Sequence, residues 1–226
     1  MFPLYHAIRD ILLIADPDII AIELDSEGMK EHVYIASGHK KPGISYKCFY
    51  RKVARMFDAK FPGEEFLSAI IYANQYNKQL AMVDMTRQML IDGIKKLKWY
   101  HIAMIPVGVI ALQFLPEKTI RNMVIKLIIK GNNGPSPLDG FLIEERNDYM
   151  AQKLIELDDN NKIVMVTGDA HVEGLAERLK KANIEVETIR LIEIIREYPV
   201  IDDYWPEIQL WRMRDAMGTF KSDPAP

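Results

Sequence analysis

Asp18–Asp25 reads DIIAIELD, a near-continuous apolar run closed at its far end by Glu23 and Asp25. A short run of this kind fits a strand covered on both faces, as in a parallel sheet flanked by helices. Gln79–Asp84 (QLAMVD) and Lys162–Asp169 (KIVMVTGD) repeat the pattern, and each again ends in an acid. A further stretch, Glu185–Leu191 (EVETIRL), alternates polar with apolar residues and predicts a half-exposed edge strand. Helical patterns lie between the strands. Gly63–Tyr76 places Phe66, Leu67, Ile70 and Ile71 on one face directly before the second strand, and Leu175–Ala182 separates the third from the fourth. Strands alternating with helices predict an α/β fold, a mainly parallel sheet of βαβ units. Thr86–Lys130 carries no strand pattern and reads as an inserted helical subdomain. Gly131–Pro137 (GNNGPSP) reads as a loop before a helix over Leu138–Leu157. The expected organisation is a single domain over residues 1–226, with the helical insertion at about 86–130 and a disordered tail at about 219–226.

Composition narrows the class. A chain of 226 residues, 49% apolar and 27% charged, is long enough for one large core and excludes a disordered, collagenous or disulfide-stapled protein. Lys and Arg number 29 against 32 Asp and Glu, so no basic footprint points to nucleic acid. The lone Cys48 forms no internal disulfide, which suits a reducing compartment and a cytoplasmic location. Arg9 and Asp10 interrupt the apolar start, so it does not read as a secretory signal. The apolar run Ile102–Leu115 contains Pro106, Gly108 and Gln113 and is shorter than the roughly 18–20 residues a spanning helix needs. Lys95, Lys96, Lys98, Trp99 and Tyr100 lead into it. That basic-aromatic border suits peripheral membrane contact through residues 95–115, and the same residues suit a core hairpin packed over the site.

The acids point to one place. In open parallel sheets, ligands bind in the crevice outside the carboxyl ends of the strands, and Glu23, Asp25, Asp84 and Asp169 all stand at strand ends. Each could instead cap a following helix. Arg146 lies in the middle of an apolar helix face made by Leu142, Ile143, Met150, Leu154 and Leu157. A buried guanidinium requires an acid or an anionic ligand, so Arg146 is expected to hydrogen-bond Glu23 or Glu65. In VTGDAHVEGL, Gly168 stands at a tight turn after the strand and His171 at the start of a helix, beside free backbone N–H groups. His6, His32, His39 and His101 lack ligand spacing and read as surface or packing residues. No H-E-x-x-H, C-x-x-C, G-x-G-x-x-G, Walker loop or G-x-S-x-G is present.

Four blocks, in order, resemble the TraB pheromone-shutdown group, which includes GumN-like proteins and is related to the Tiki proteases and the erythromycin-esterase/ChaN-like fold. PDIIAIELD (Pro17–Asp25) resembles its PD-V-V-x-x-EL-D block, and PGEEFLSAIIYA (Pro62–Ala73) its G-x-E block with Glu65 as the glutamate. IEERNDYMAQKL (Ile143–Leu154) resembles its E-R-(N/D) helix, with Arg146 as the arginine. The stretch from Thr167 to Leu175 resembles its second G-x-x-H motif, with Gly168, His171 and Gly174. The group's first strand, ending in G-T-x-H, has no counterpart before Pro17, and SGHK around His39 has a different spacing. Either the start is truncated or this member has lost that histidine. Asp84 is followed by Met85 where the group has D-R, and Asp202–Asp215 reads as an amphipathic end in place of membrane helices.

The resemblance implies a hydrolase of peptides or other amides or esters. Glu65 or Glu23 would be the general base, His171 a metal ligand or acid/base, and Arg146 the oxyanion donor. Asp84, Gly168, Asp169 and Gly174 would contact substrate. A divalent ion (Mn²⁺, Co²⁺ or Zn²⁺) would sit on His171, Glu23 and Glu65; with one imidazole and several carboxylates, Mn²⁺ or a similar oxygen-tolerant ion suits the donors better than Zn²⁺. The alternative is a non-catalytic protein that sequesters a peptide in the same crevice.

Overall fold

Ile19–Ile22 (β1), Gln79–Met82 (β2) and Ile163–Val166 (β3) form a parallel sheet in the order β2-β1-β3. The three apolar runs are therefore strands of one α/β sheet. The computed structural model describes residues 4–36, 64–98, 114–116, 119, 140–190 and 193. His39, Cys48, His101, the 131–137 loop, most of Ile102–Leu115, residues 202–215 and the 219–226 tail lie outside them. Of the proposed helical insertion, the described part consists of a helix over Arg87–Lys96 and a few residues around Phe114.

The register aligns Ile22 with Met82 on one side and with Val166 on the other. The chain after each strand thus leaves the sheet at one level. β1 is the central strand, and all four of its residues are buried. Alternate side chains feed two cores. Ile20 and Ile22 pack with Ile8 and Leu12 of a first helix, Leu4–Ala15 (α1), and with Phe66, Ile70 and Ala73 of the helix Glu64–Gln75. On the opposite face, Ala21 packs with Val83, with Met150 and Leu154 of the helix Arg146–Leu157, and with Leu175 of the helix Asp169–Lys181. Fully burying one such aliphatic side chain contributes roughly 1.5–3 kcal/mol, which explains why the central run carries no polar residue before Glu23. In chain order the remaining helices are Ser26–Ala36 (α2), Glu64–Gln75 (α3), Arg87–Lys96 (α4), Arg146–Leu157 (α5) and Asp169–Lys181 (α6). On the first face, Ser68 Oγ donates to the Tyr5 carbonyl at 2.8 Å, fixing α3 against α1.

The helix exits share one device. Asp16, Asn77, Asn160 and Asn183 follow α1, α3, α5 and α6, and all have positive φ, between 43° and 62°. Asp and Asn tolerate this left-handed turn better than other residues with a Cβ. Three of these exits are followed two or three residues later by β1, β2 or β3.

Asn183 makes the same exit, but the edge strand expected over Glu185–Leu191 does not form. Residues 184–190 make no ladder, and Leu191 lies outside the described residues. Glu185, Glu187, Thr188 and Ile189 are exposed, so no apolar face draws the segment onto β3. Ionic contacts hold it instead: Arg190 donates to both oxygens of Asp169, at 2.8 and 2.6 Å, and also pairs with Glu173. The register of the helix expected over Leu138–Leu157 also differs. Gly140–Glu145 forms a π-helical turn, and the α-helix begins at Arg146. Among the described residues, no helix is long and apolar enough to cross a membrane.

Candidate functional site

β1 is flanked by β2, reached through α2 and α3, and by β3, reached through α5. The connections diverge at its carboxyl end, the place where doubly wound sheets open a crevice. Glu23 leaves the sheet there, one residue beyond β1. Asp84 stands two residues beyond β2, and Gly168 two beyond β3. α5 begins at the same level with Arg146 and Asn147, and α6 brings His171 within its first turn. A regular helix turns consecutive side chains about 100° apart. A π turn precedes Arg146, and Arg146 and Asn147, neighbours in the regular helix, both engage the cluster from its first positions.

Arg146 is the hub. Its Nη2 donates to Glu23 Oε1 at 2.5 Å and to Asp84 Oδ2 at 2.7 Å, and its Nε donates to Asp84 Oδ1 at 3.0 Å. The Arg146 side chain is 17% exposed and both carboxylates 10%. The expected pairing with Glu23 is present, and Asp84 is the second partner. Burial by itself lowers the guanidinium pKa, but the Asp84 hydrogen bonds and the Glu23 charge outweigh it and raise the value, so Arg146 stays cationic.

Glu23 is saturated by donors. Oε2 accepts from Thr167 Oγ1 at 2.6 Å and from the Gly168 N–H at 2.7 Å, while Oε1 faces Arg146 and also lies 3.3 Å from His171 Nε2. Burial raises its pKa, yet the His171 hydrogen bond and charge, the Arg146 charge and the Thr167 hydroxyl together lower it to about 2. A carboxylate with that pKa is a poor base near neutrality. Its geometry makes Glu23 a fixed anion at the start of α6, where the backbone dipole favours one. Asp84 is filled as well, accepting from Met85 N–H at 2.8 Å besides its two bonds to Arg146.

His171 is 5% exposed. Its Nδ1 meets Asn147 Oδ1 at 2.7 Å, and its Nε2 lies 3.3 Å from Arg146 Nη1. Glu23, Asp84, Arg146 and His171 thus form one contiguous group. Glu65 stands in the first turn of α3, a helix that runs back along the sheet, so its backbone lies toward the same end. Asp169 is engaged by Arg190, and Asp25 caps α2 through Gly28 N–H at 2.7 Å and accepts from Arg87 N–H at 3.3 Å. For Asp25, helix capping is what the structure shows. His32 likewise packs, edge-on to Phe66 with ring centroids 6.1 Å apart.

The two glycines act differently from the expectation. Gly168 has φ −62° and ψ 141°, a conformation open to any residue. Its contribution is its N–H, not a glycine-only turn. Gly174 lies against Asn147: a Cβ there would meet Asn147 Nδ2 at 2.3 Å. It makes room for a side chain of the cluster. Asn147 and Thr167 were not among the expected site residues. The signal for Asn147 was its place directly after Arg146 in the E-R-(N/D) block; Thr167 carried none.

Of the three donors implied for a divalent ion, Glu23 and His171, like Asp84, already face the Arg146 guanidinium, which supplies the positive charge there. Among the described residues, no group of three or more His, Cys, Asp and Glu side chains is disposed to hold a metal.

Fold and site together define a doubly wound α/β protein with an Arg–carboxylate–His cluster at the switch point of its sheet. The chain is similar to an uncharacterized protein of Methanocaldococcus jannaschii, 28% identical over 213 residues, covering 84% of this chain and 53% of the archaeal protein. It therefore spans about half the length of that relative. No protein-family model matches the chain, and no solved structure matches it.

Proposed function

We propose that the protein is a hydrolase of amide or ester bonds, acting on a peptide or a small molecule at the carboxyl end of the sheet. The observation that carries this reading is the pairing of His171 Nε2 with Arg146 Nη1 at 3.3 Å, each held from behind by other members of the cluster. A base and a cationic donor fixed side by side suit attack on a carbonyl. Nε2 would take a proton from water as the water oxygen bonds to the carbonyl carbon. Arg146 Nη1 would donate to the oxygen that gains charge. Glu23, 3.3 Å from Nε2, would stabilise the imidazolium. Collapse of the intermediate breaks the C–N or C–O bond, and the proton on Nε2 passes to the leaving amine or alcohol. The blocks that resemble the TraB group support the same class, and membership of that group is part of the proposal.

One observation favours a second reading, peptide sequestration without turnover: every carboxylate oxygen of Glu23 and Asp84 already has a donor. The test is turnover of a panel of chromogenic peptides, amides and esters by the purified full chain, beside folded His171→Gln and Arg146→Lys variants. Turnover lost in both variants supports the hydrolase. Calorimetric binding of a peptide without cleavage, weakened in Arg146→Lys, supports sequestration. Turnover that survives His171→Gln overturns the mechanism.

A further inference from the structure

Asn147 is fully buried, and its amide faces two unlike neighbours. Oδ1 meets His171 Nδ1 at 2.7 Å, whereas Nδ2 lies against Gly174 and has no hydrogen-bond partner. Structures rarely leave a buried amide donor orphaned, so the orientation of this amide turns on the ring nitrogen it meets at 2.7 Å. A carbonyl oxygen only accepts, so the hydrogen between these atoms belongs to the imidazole. The reverse orientation of the amide would place Nδ2 against Nδ1 and drive the ring proton to Nε2. That N–H would reach Glu23 Oε1 at 3.3 Å, an oxygen already bonded to Arg146 Nη2, but would also confront the N–H groups of Arg146 Nη1 at the same distance, a group that never loses its protons.

We propose that Asn147 is a positioning residue that holds the proton of neutral His171 on Nδ1, leaving Nε2 as the nitrogen that gains and loses a proton. In histidine the hydrogen bond made by one ring nitrogen sets the state of the other. Gly174 belongs to this device, because the amide occupies the volume that a Cβ would take. The assignment stands on the cluster geometry. Its chemical use, an Nε2 lone pair ready to take a proton from water, rests on the hydrolase reading.

The experiment is a two-bond ¹H–¹⁵N correlation spectrum of the full chain labelled at histidine nitrogen, with His171 assigned by its loss in His171→Gln. The pH is raised until the ring is neutral. The expected result is a pyrrole-type signal for Nδ1 and a pyridine-type signal for Nε2, the reverse of the preference of free histidine in water. Asn147→Leu, of similar size but with no acceptor, should move the proton to Nε2; Asn147→Asp, which keeps the acceptor, should retain it on Nδ1. A wild-type ring protonated on Nε2 overturns the proposal, and so does a folded Asn147→Leu with an unchanged tautomer. If Asn147→Leu does not fold, the wild-type spectrum and Asn147→Asp decide. Activity is a separate readout: Asn147→Leu should lower kcat by about a hundredfold, the scale of a lost general base, with KM little changed. The Nδ1–H tautomer in a protein that hydrolyses nothing would sink the hydrolase reading and leave the assignment intact.

Discussion

Arg146 grips Asp84 side-on, with Nε and Nη2 on its two oxygens at 3.0 and 2.7 Å, and the same Nη2 reaches Glu23. One planar cation thereby bridges the acids at the ends of two neighbouring strands. A lysine is a point charge on a flexible stem and cannot reproduce the fork.

Arg146→Ala should therefore destabilise the fold by about 3 kcal/mol, because two poorly solvated carboxylates lose their counter-charge. Arg146→Lys should recover less than half of that loss. Urea unfolding is the measurement, with a lower midpoint and an unchanged slope expected. A midpoint for Arg146→Ala equal to wild type would contradict the central place given to this residue.

Acid should act through Glu23. Its folded-state pKa of about 2 lies below the value of 4.5 for a free glutamate, so ionised Glu23 favours the native state above that free value. The contribution is lost as pH falls from about 4.5 toward 2, and integrates to about 3 kcal/mol. Glu23→Gln should be less stable at neutral pH and show a shallower loss of stability through this window. Denaturant titrations at several pH values would check both the sign and the window.

Gly174→Ala and Gly168→Ala should separate cleanly. The first places a Cβ 2.3 Å from the Asn147 amide and should cost about 1–3 kcal/mol, with the His171 side chain displaced. At Gly168 the nearest atom is Glu23 Oε2, at 3.4 Å, and the backbone is ordinary. Alanine there should change the melting temperature little. Equal effects from the two would refute the packing argument.

Arg190 should behave as a clasp on the segment after α6. α6 is roughly 20 Å long at 1.5 Å per residue, and the stretch 184–190, if extended, covers about the same length. The segment can therefore return along the helix to Asp169. Arg190→Ala should raise amide exchange over 184–190 while leaving β1 protected. A double-mutant cycle with Asp169→Asn should show coupling of about 1 kcal/mol or more. Additive effects would mean that the pair holds nothing.

The sheet was legible because β1, β2 and β3 are short, near-continuous apolar runs, although only the central β1 is buried throughout, the flanking β2 and β3 being partly exposed. Each begins and ends within three residues of the run that predicted it. Arg146 was legible because a charge in an apolar helix face demands a partner. Glu23 was a predicted partner; Asp84 was expected to contact substrate, and its pairing with Arg146 depends on the β1–β2 register, which no local spacing encodes. Asn147 escaped notice for a related reason. It stands about 100° round α5 from Arg146, and its contact with His171 depends on how α5 packs beside α6, which no local spacing encodes. The missing strand after Asn183 shows the converse. Its alternation was genuine, but the ion pairs of Arg190 claimed the segment first.

The separations within the cluster also set when it can form. Arg146 is 62 residues from Asp84 and 123 from Glu23, and Thr167 is 144 from Glu23. No local fragment contains a working subset of these bonds. During synthesis Glu23 must leave the ribosome long before Arg146 exists and wait in water until β3 docks beside β1. Closing such loops is entropically slow. Completion of the cluster therefore coincides with completion of the sheet, and the state of the His171 ring reports on whether a given molecule has finished folding.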